Sequence, residues 1–503
     1  MGCAWALVDL GIKPTIYDAG EVLNDEKKTH IEYLRRTFGN WSQHDLNKIG
    51  DMEFEKNGFP TKTVFGSSFL FGDNREHSPL LNQTSISPCY AKGGFTVGWG
   101  GAVLPIHQQD MMEWPFPIQA LHEGFHETTK RLGICGIEDQ LSAEFPLFNA
   151  CPYHLKENQQ TKELLKRLES LQNHMRTCVG RARLALDVRN CKFCGLCLEG
   201  CPFGAIHTLD FDINKLVKCN KINYRNDVIV TKINETSKSI EVTINKKNEK
   251  ISVKEKFDHV FLGAGAINTA RIILESQERF EETINLLDSQ KFASLIFTPK
   301  SDTTPIENRN TLPVVFFEMQ DEISKHWTHL QISPFSRYAQ KKLEQKLRRI
   351  GLQKLAYSKL FAERINVVWG GMHSEKSGKF NLALLRAHKN KRPILEISQV
   401  QKTDKNKPIK EQLRKVSNAF ESRGIFLMKQ AAMIAPPGAG NHFGGSFPMR
   451  KMPNLWNETD TNGKLKDYKR LSIVDSSLFP SIPATTMVLT IMANSWRLTQ
   501  KTF

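Results

Sequence analysis

Apolar and polar positions change period several times along the chain, and each change marks an element. Ala4, Leu7 and Val8 recur at helical spacing within Met1 to Leu10, which predicts an amphipathic helix closed by Gly11. A short strand follows over Lys13 to Asp18 and ends on an acid before Ala19 and Gly20. Asp110 to Gly133 reads as largely helical. Lys221 to Val260 alternates instead: Val228 to Val230, Ile240 to Ile244 and Ile251 to Val253 are separated by Lys, Asn and Glu turns, which predicts a small antiparallel meander. A buried strand over His259 to Leu262 then runs through Gly263-Ala-Gly265 into a helix that includes Arg271 and Leu274. Near the end, Leu471 to Val474 predicts another buried strand, followed by a Pro-bounded loop and a closing helix through Asn494 and Arg497. Residues 276–429 carry mixed elements without a motif and read as a second domain inserted into the first.

A length of 503 residues predicts two or three domains, or one large cofactor-binding fold with an insertion. Hydrophobic residues at 40% and charged ones at 24% exclude wholesale disorder. No apolar run reaches the ~18 residues that cross a bilayer, so a soluble chain without a membrane span is expected. Sixty-nine Lys and Arg against 53 Asp and Glu give a net +16. The lysines are scattered among Asn and Glu, as between Lys246 and Lys256, and aromatics are not interleaved with them. That pattern reads as solvated charge rather than a nucleic-acid surface, and leaves an acidic or phosphorylated substrate open. Asp9 interrupts the first apolar segment, and Ala6 stands where a myristoylation signal needs Ser or Thr, so neither secretion nor lipidation is expected. Ten cysteines are too few for a disulfide scaffold; four of them fall within eleven residues, which points to a cluster or metal in a reducing, cytoplasmic compartment.

Several of these segments carry chemistry. Asp18 ends a strand as does the acid that hydrogen-bonds a ribose in a βαβ dinucleotide unit. If Gly2 is the last glycine of a Gly-x-Gly-x-x-Gly turn, the first lies before the numbering begins and Asp18 falls roughly 20 residues beyond it. The first strand of the unit would then be missing and the chain begun at an internal Met; the alternative is an ordinary surface helix and strand. Gly93 to Gly101 places five glycines in nine residues, a loop whose backbone can approach a flat ligand. His122-Glu123-Gly124-Phe125-His126 matches the His-Glu-x-x-His zinc pattern, but Gly124 weakens the helix and no third ligand is evident, so zinc is not expected. His442 sits in the glycine-rich turn Gly438 to Ser446. Cys191, Cys194, Cys197 and Cys201, followed by Pro202, have the spacing of bacterial ferredoxins and suit a [4Fe–4S] cluster better than zinc. The fourth ligand is open between Cys201 and Cys219, Cys178 or Cys151, and a structural cysteine turn is the alternative to a cluster.

In order and over nearly the whole chain, these segments resemble the glucose-methanol-choline (GMC) family of FAD-dependent oxidoreductases. The family's Gly-Gly-x-Ser-x-x-Trp-Gly-Gly loop stands as Gly93, Gly94, Thr96, Trp99, Gly100 and Gly101, followed by Asp110 and Trp114-Pro115. Its His-x-x-Gly-Thr signature stands as His442 to Ser446 and its Val-Asp-x-Ser-x-x-Pro tail as Val474 to Pro480. The resemblance implies an α/β fold: a Rossmann-like FAD-binding domain with its first strand missing, and a mixed α+β substrate domain. The segments expected are 1–125 and 191–275 for FAD, joined by 126–190, then 276–430 for substrate and 431–503 for the catalytic histidine and FAD tail.

It further implies that the glycine loop touches the isoalloxazine, that Asp18 and the turn Gly263, Gly265 and Ala266 serve the adenosine half, that Val230 borders the adenine, and that Asp475 and Ser477 lie by the pyrophosphate. His442 becomes the base that removes a hydroxyl proton as hydride leaves for the flavin. Family members pair that histidine with a second His or Asn; Thr486 falls at the aligned place, and its hydroxyl can donate a hydrogen bond but cannot act as a base. The expected substrate is an alcohol or sugar, tilted toward an anionic one by the basic charge, with an electron-acceptor protein as partner if a cluster is present. An electron-transfer flavoprotein without CH–OH chemistry, or an inactive fragment, are the alternatives.

Overall fold

The computed structural model describes residues 1–49, 54–56, 59–61, 63–71, 78–151, 153–171, 176–246, 252–387, 392–400 and 406–503. Ile251, expected to open the third strand of the meander, lies outside the described residues. The first helix forms over Gly2–Asp9, with Gly11 left-handed just beyond it (φ 75°). It packs on the last helix, Val488–Thr502, which packs in turn on His122–Leu132. Glycine makes both contacts possible: a Cβ on Gly2 would lie 2.2 Å from the Met492 carbonyl oxygen, and one on Gly124 would lie 2.3 Å from that of Ala493. The helix expected over Asp110 to Gly133 is shorter than the pattern predicts. Two 3-10 turns, Gln108–Met111 and Ile118–Leu121, precede it, because Pro115 and Pro117 remove the backbone donors that would carry a helix through.

The dinucleotide-type part is built from parallel pairs. Thr15–Tyr17 pairs with Asn223–Arg225, and Val260–Leu262 pairs with Leu471–Ile473. Asp18, Gly263 and Val474 thereby stand at carboxyl ends of parallel strands, where ligands bind in open α/β sheets. The meander forms as Val228–Glu235, Ile240–Lys246 and Ser252–Phe257, with a bulge between Val230 and Lys232.

Two larger sheets follow. One has five strands in the order Phe443–Gly444, Thr283–Asp288, Lys379–Leu385, Ile394–Gln399 and Leu80–Asn82. The other has six, all antiparallel: Phe426–Ile434, Lys291–Phe297, Ile365–Gly371, Thr328–Pro334, Val315–Gln320 and Arg176–Arg181. Alternate residues of the six-stranded sheet, among them Phe292, Phe317, Leu330 and Val368, are buried in one cluster with Leu164, Leu168, Val416 and Phe420 of the helices Gln159–Glu169 and Lys407–Glu421. Burying a side chain of that size contributes about 1.5–3 kcal/mol, so this face fixes the register of the whole sheet. The opposite face then receives, in one cross-strand row, Lys291, Gly371, His329, Glu318 and Cys178. Gly370 and Gly371 leave a hollow on each face. A Cβ on Gly370 would strike the Phe292 ring at 2.0 Å, and one on Gly371 would lie 2.5 Å from Lys291 Nζ.

Candidate functional site

Three segments far apart in sequence meet around His442. Phe443–Gly444 pairs with the end of Thr283–Asp288, and the Ser289 N–H donates to the His442 carbonyl at 2.9 Å. On the other side, the Gly445 N–H donates to the Ser476 carbonyl at 3.0 Å and Ser476 Oγ donates to that of Phe443 at 2.9 Å. The approach is so close that a Cβ on Gly444 would lie 2.2 Å from the Ser476 oxygen. Asp475, in the same turn, is buried; its Oδ2 accepts from the Gly265 N–H (2.9 Å) and Thr269 Oγ1 (2.6 Å), and its Oδ1 from the Ser477 N–H (2.9 Å). Burial pushes its carboxyl up, and these hydrogen bonds oppose that push. The histidine turn, the Asp475 turn and the Gly263 to Ala266 turn are therefore one connected unit.

His442 is partly exposed, yet its Nδ1 is sealed from solvent without a partner. The protein packed around it, then Lys291 and His329, hold the imidazole well below its usual range, so it is neutral at pH 7, the form a base requires. Thr486 Oγ1 accepts from the Leu104 N–H at 2.8 Å and keeps its own hydrogen to donate. Thr485 Oγ1 and Thr490 Oγ1 are buried without a partner. Each such hydroxyl costs about 1–3 kcal/mol, a cost that a polar ligand reaching them removes.

Sequence reasoning missed the groups opposite. Lys291 Nζ donates to Ser289 Oγ (3.2 Å) and the Ala484 carbonyl (3.1 Å), which leaves one of its three N–H bonds over. It lies in the hollow above Gly371, and Gly440 also makes room, since a Cβ there would meet Lys291 Cγ at 2.6 Å. Enclosure pushes this ammonium down to about 8, against the pull of Asp288 and Glu318. Asp288, fully buried beside it, is pushed up to about 6 by the same cause. Further along the row, His329 Nδ1 bonds Glu318 Oε1 while Gln331 Nε2 meets His329 Nε2 at 2.9 Å. No spacing rule connects these residues, which only strand pairing brings together.

The glycine loop is anchored by Thr96 and Trp99. Thr96 Oγ1 donates to the Gly93 carbonyl (2.7 Å) and accepts from the Leu209 N–H (3.1 Å), and Trp99 Nε1 donates to the His207 carbonyl (2.7 Å). Gly93, Gly94 and Gly101 have φ of 89°, 64° and 69°, and the space around Gly94 is open to 4 Å, so the backbone itself is presented. Phe95 of this loop touches the Phe443 ring (6.5 Å), and the Ala185 N–H donates to the Gly101 carbonyl (2.7 Å); Gly100 has room for a Cβ. At the other end, Asp18 accepts from Tyr224 Oη (2.9 Å) and the Gly20 N–H (3.2 Å), and burial raises it to about 6. The Val228 N–H donates to the Asp18 carbonyl (3.3 Å), which sets half-buried Val230 and its bulge nearby. Gly263 and Gly265 are exposed, and Ala266 opens the helix Ala266–Ser276, whose N-terminus has no side-chain cap. Gly2 packs against the last helix, and the Met1 amino group beside it interacts electrostatically with Asp18.

All ten cysteines are free thiols. Cys191, Cys194, Cys197 and Cys201 interact electrostatically with one another, though no three of their sulfurs lie within 4.8 Å. Burial pushes Cys194 up to about 12 and Cys197 to about 11. Donors nevertheless point at the sulfurs: the Ala205 N–H at Cys201 (3.2 Å), Asn310 Nδ2 at Cys191 (3.5 Å), and the backbones of Phe193, Leu196 and Thr311 at Cys191, Cys194 and Cys197. Phe193 adopts φ 52°, a conformation an aromatic residue rarely holds. The motif packs behind the glycine loop, with Trp99 against Cys197 and Val97 in the cluster of Leu196 and Cys194.

His122 and His126 do not join any metal-capable grouping among the described residues; His126 packs on Phe148 (4.9 Å) and Asn149 donates to its carbonyl (2.6 Å). The one grouping that does form among the described residues is Asp110, His326 and His373. There the two imidazoles stack at 3.5 Å and 16°, so no ion can lie in both ring planes, and His326 instead meets Asp110 (3.2 Å) and Glu375 (3.1 Å).

Residues 381–495 match the family model described as GMC oxidoreductase. A search of curated proteins finds no match. Among solved structures, pyridoxine 4-oxidase from Mesorbium loti superposes with a TM-score of 0.60 at 11% identity, covering 99% of this chain and 97% of that one. An FAD-dependent oxidoreductase from Chaetomium thermophilum gives the same TM-score and identity, covering 99% and 96%. At that identity the likeness is one of fold.

Proposed function

We propose, for a chain whose C-terminal part makes it a member of the GMC oxidoreductase family, that it binds FAD and oxidises the CH–OH group of a small alcohol or sugar-like substrate. The observation that carries the reading is His442, a neutral imidazole bonded through its own backbone turn to the Asp475 turn and near enough to Lys291 to feel its charge. The family implies FAD, and the residues present suit it: the unpartnered Thr485 and Thr490 hydroxyls, the open Gly94 backbone, the uncapped helix at Ala266 and the acid Asp18. FAD, when bound, supplies the hydride acceptor. His442 Nε2 takes the hydroxyl proton, and the spare N–H of Lys291 and the hydroxyl of Thr486 hold the substrate oxygen. Lys291 thus does part of what a second His or Asn does elsewhere in the family. An ammonium at this place also suits a substrate carrying an anionic group.

The test is anaerobic addition of primary alcohols, secondary alcohols and sugars, neutral and acidic, to the FAD-loaded protein. Loss of the oxidised-flavin absorbance with at least one of them is the expected result. If dithionite reduces the flavin and no CH–OH compound does, the protein is an electron-transfer flavoprotein instead.

The four cysteines favour a second element of the same reading. N–H donors aimed at sulfur stabilise thiolates once a metal has displaced their protons, and the motif lies directly behind the glycine loop. A [4Fe–4S] cluster there would pass single electrons from the flavin side to a partner protein. Anaerobic reconstitution is expected to load about four irons per chain; fewer than about one removes the cluster and leaves a structural turn.

A further inference from the structure

A lysine drawn into a protein is normally paired with a carboxylate, and Lys291 is held in another way. Its Nζ donates to two neutral oxygens, Ser289 Oγ (3.2 Å) and the Ala484 carbonyl (3.1 Å). The two acids whose charge it feels, Asp288 and Glu318, are engaged elsewhere. Asp288 Oδ2 accepts from the Gly438 N–H (2.9 Å), Glu318 Oε1 is bonded to His329, and the remaining oxygen of each is buried without a partner. Two neutral acceptors suit a neutral amine as well as an ammonium. An amine spends both of its N–H bonds on them, and the third direction at nitrogen, which carries the spare N–H of the ammonium, then carries the lone pair. That direction is the one available to a bound ligand, in a hollow kept clear by Gly371 and Gly440, with His442 near enough to feel the lysine's charge.

We propose that Lys291 is a carbonyl-trapping site, whose Nζ condenses reversibly with small aldehydes and ketones to an imine. These are the class of product that oxidation of a CH–OH group leaves, so the trap would act as a brake on a site filled with its own product. A C=N bond replaces the C=O bond; the amine nitrogen gives up two hydrogens, which leave with the carbonyl oxygen as water, and no oxidant or reductant is consumed. Lysine amines that lose their charge inside proteins are suited to this condensation. Enclosure pushes the Lys291 ammonium down to about 8, whereas an exposed lysine stays near about 10.4. The inference rests on the reading of this row as the place where substrate lies, and not on reduction of the flavin.

The test incubates the whole protein, with FAD added, at pH 8 with propionaldehyde or glyoxylate, one neutral and one anionic aldehyde. Cyanoborohydride, present throughout, reduces any imine to a stable secondary amine, and the modified peptides are quantified by mass. Lys291 is expected to gain the adduct of at least one aldehyde about tenfold faster or more than exposed lysines such as Lys130 and Lys215. Labelling of those two with none at Lys291, or labelling of Lys291 no faster than theirs, overturns the proposal. Flavin reduction by an alcohol without the adduct keeps the reaction and removes the trap. The adduct without flavin reduction by any alcohol keeps the trap and removes the reaction.

Discussion

Replacing His442 by alanine is expected to lower the rate of flavin reduction by substrate about 10²–10⁴-fold while leaving flavin binding intact. The two effects separate because of how the turn is built. The backbone of the histidine turn carries its contacts to Ser289 and Ser476, whereas its imidazole Nδ1 has no partner to lose. The groups suited to holding FAD sit on the Asp475 turn, the last helix and the glycine loop, and none depends on that imidazole. Single-turnover reduction under anaerobic conditions, with the flavin-to-protein absorbance ratio measured on the same sample, reads both quantities. A loss below about tenfold would mean that the proton leaves by another route. Because the imidazole is held well below its usual range, the wild type should show no rising limb of activity near pH 6.5.

Lys291→Met is the second large effect, expected to cost about 10²–10³-fold in turnover. The ammonium, pushed down to about 8, is charged below that pH and loses its proton above it. Interaction with a developing alkoxide is therefore present on the acid side and fades as pH rises, so wild-type turnover should fall above about pH 8 and the methionine variant should lack that limb. Lys291→Arg keeps a charge but not the fit, since a planar guanidinium is wider than the hollow above Gly371. A falling limb that survives in Lys291→Met would assign it to another group and leave the lysine a packing role.

The parts of this site that can be read from sequence are those whose backbone demands a particular residue. Gly93 and Gly94 need left-handed backbone, Gly444 needs contact with Ser476, and Asp475 needs a turn that lets its oxygens reach Gly265 and Ser477. Such demands leave fixed spacings behind them. Strand, meander and closing helix were legible for a similar reason, through the period of their apolar positions. His122 to His126 shows the opposite case, a literal motif whose glycine serves a helix contact with Ala493. Lys291 opens a strand that is apolar but for Ser294, and Glu318 and His329 sit inside two others. Nothing local distinguishes them, because their meeting is decided by packing on the far side of the sheet.

That row across five strands has a consequence for how the protein can change over generations. Side chains alternate with a period of two, so one residue inserted in a strand turns every later position to the other face. A single-codon insertion immediately before Lys291, absorbed by shifting its strand one residue, would send the lysine among Leu164 and Phe420 and bring Phe292 to the site. Gain or loss of length in this sheet is therefore tolerable in even steps or in the loops, and descendants of this chain should preserve the parity of these strands more faithfully than their composition.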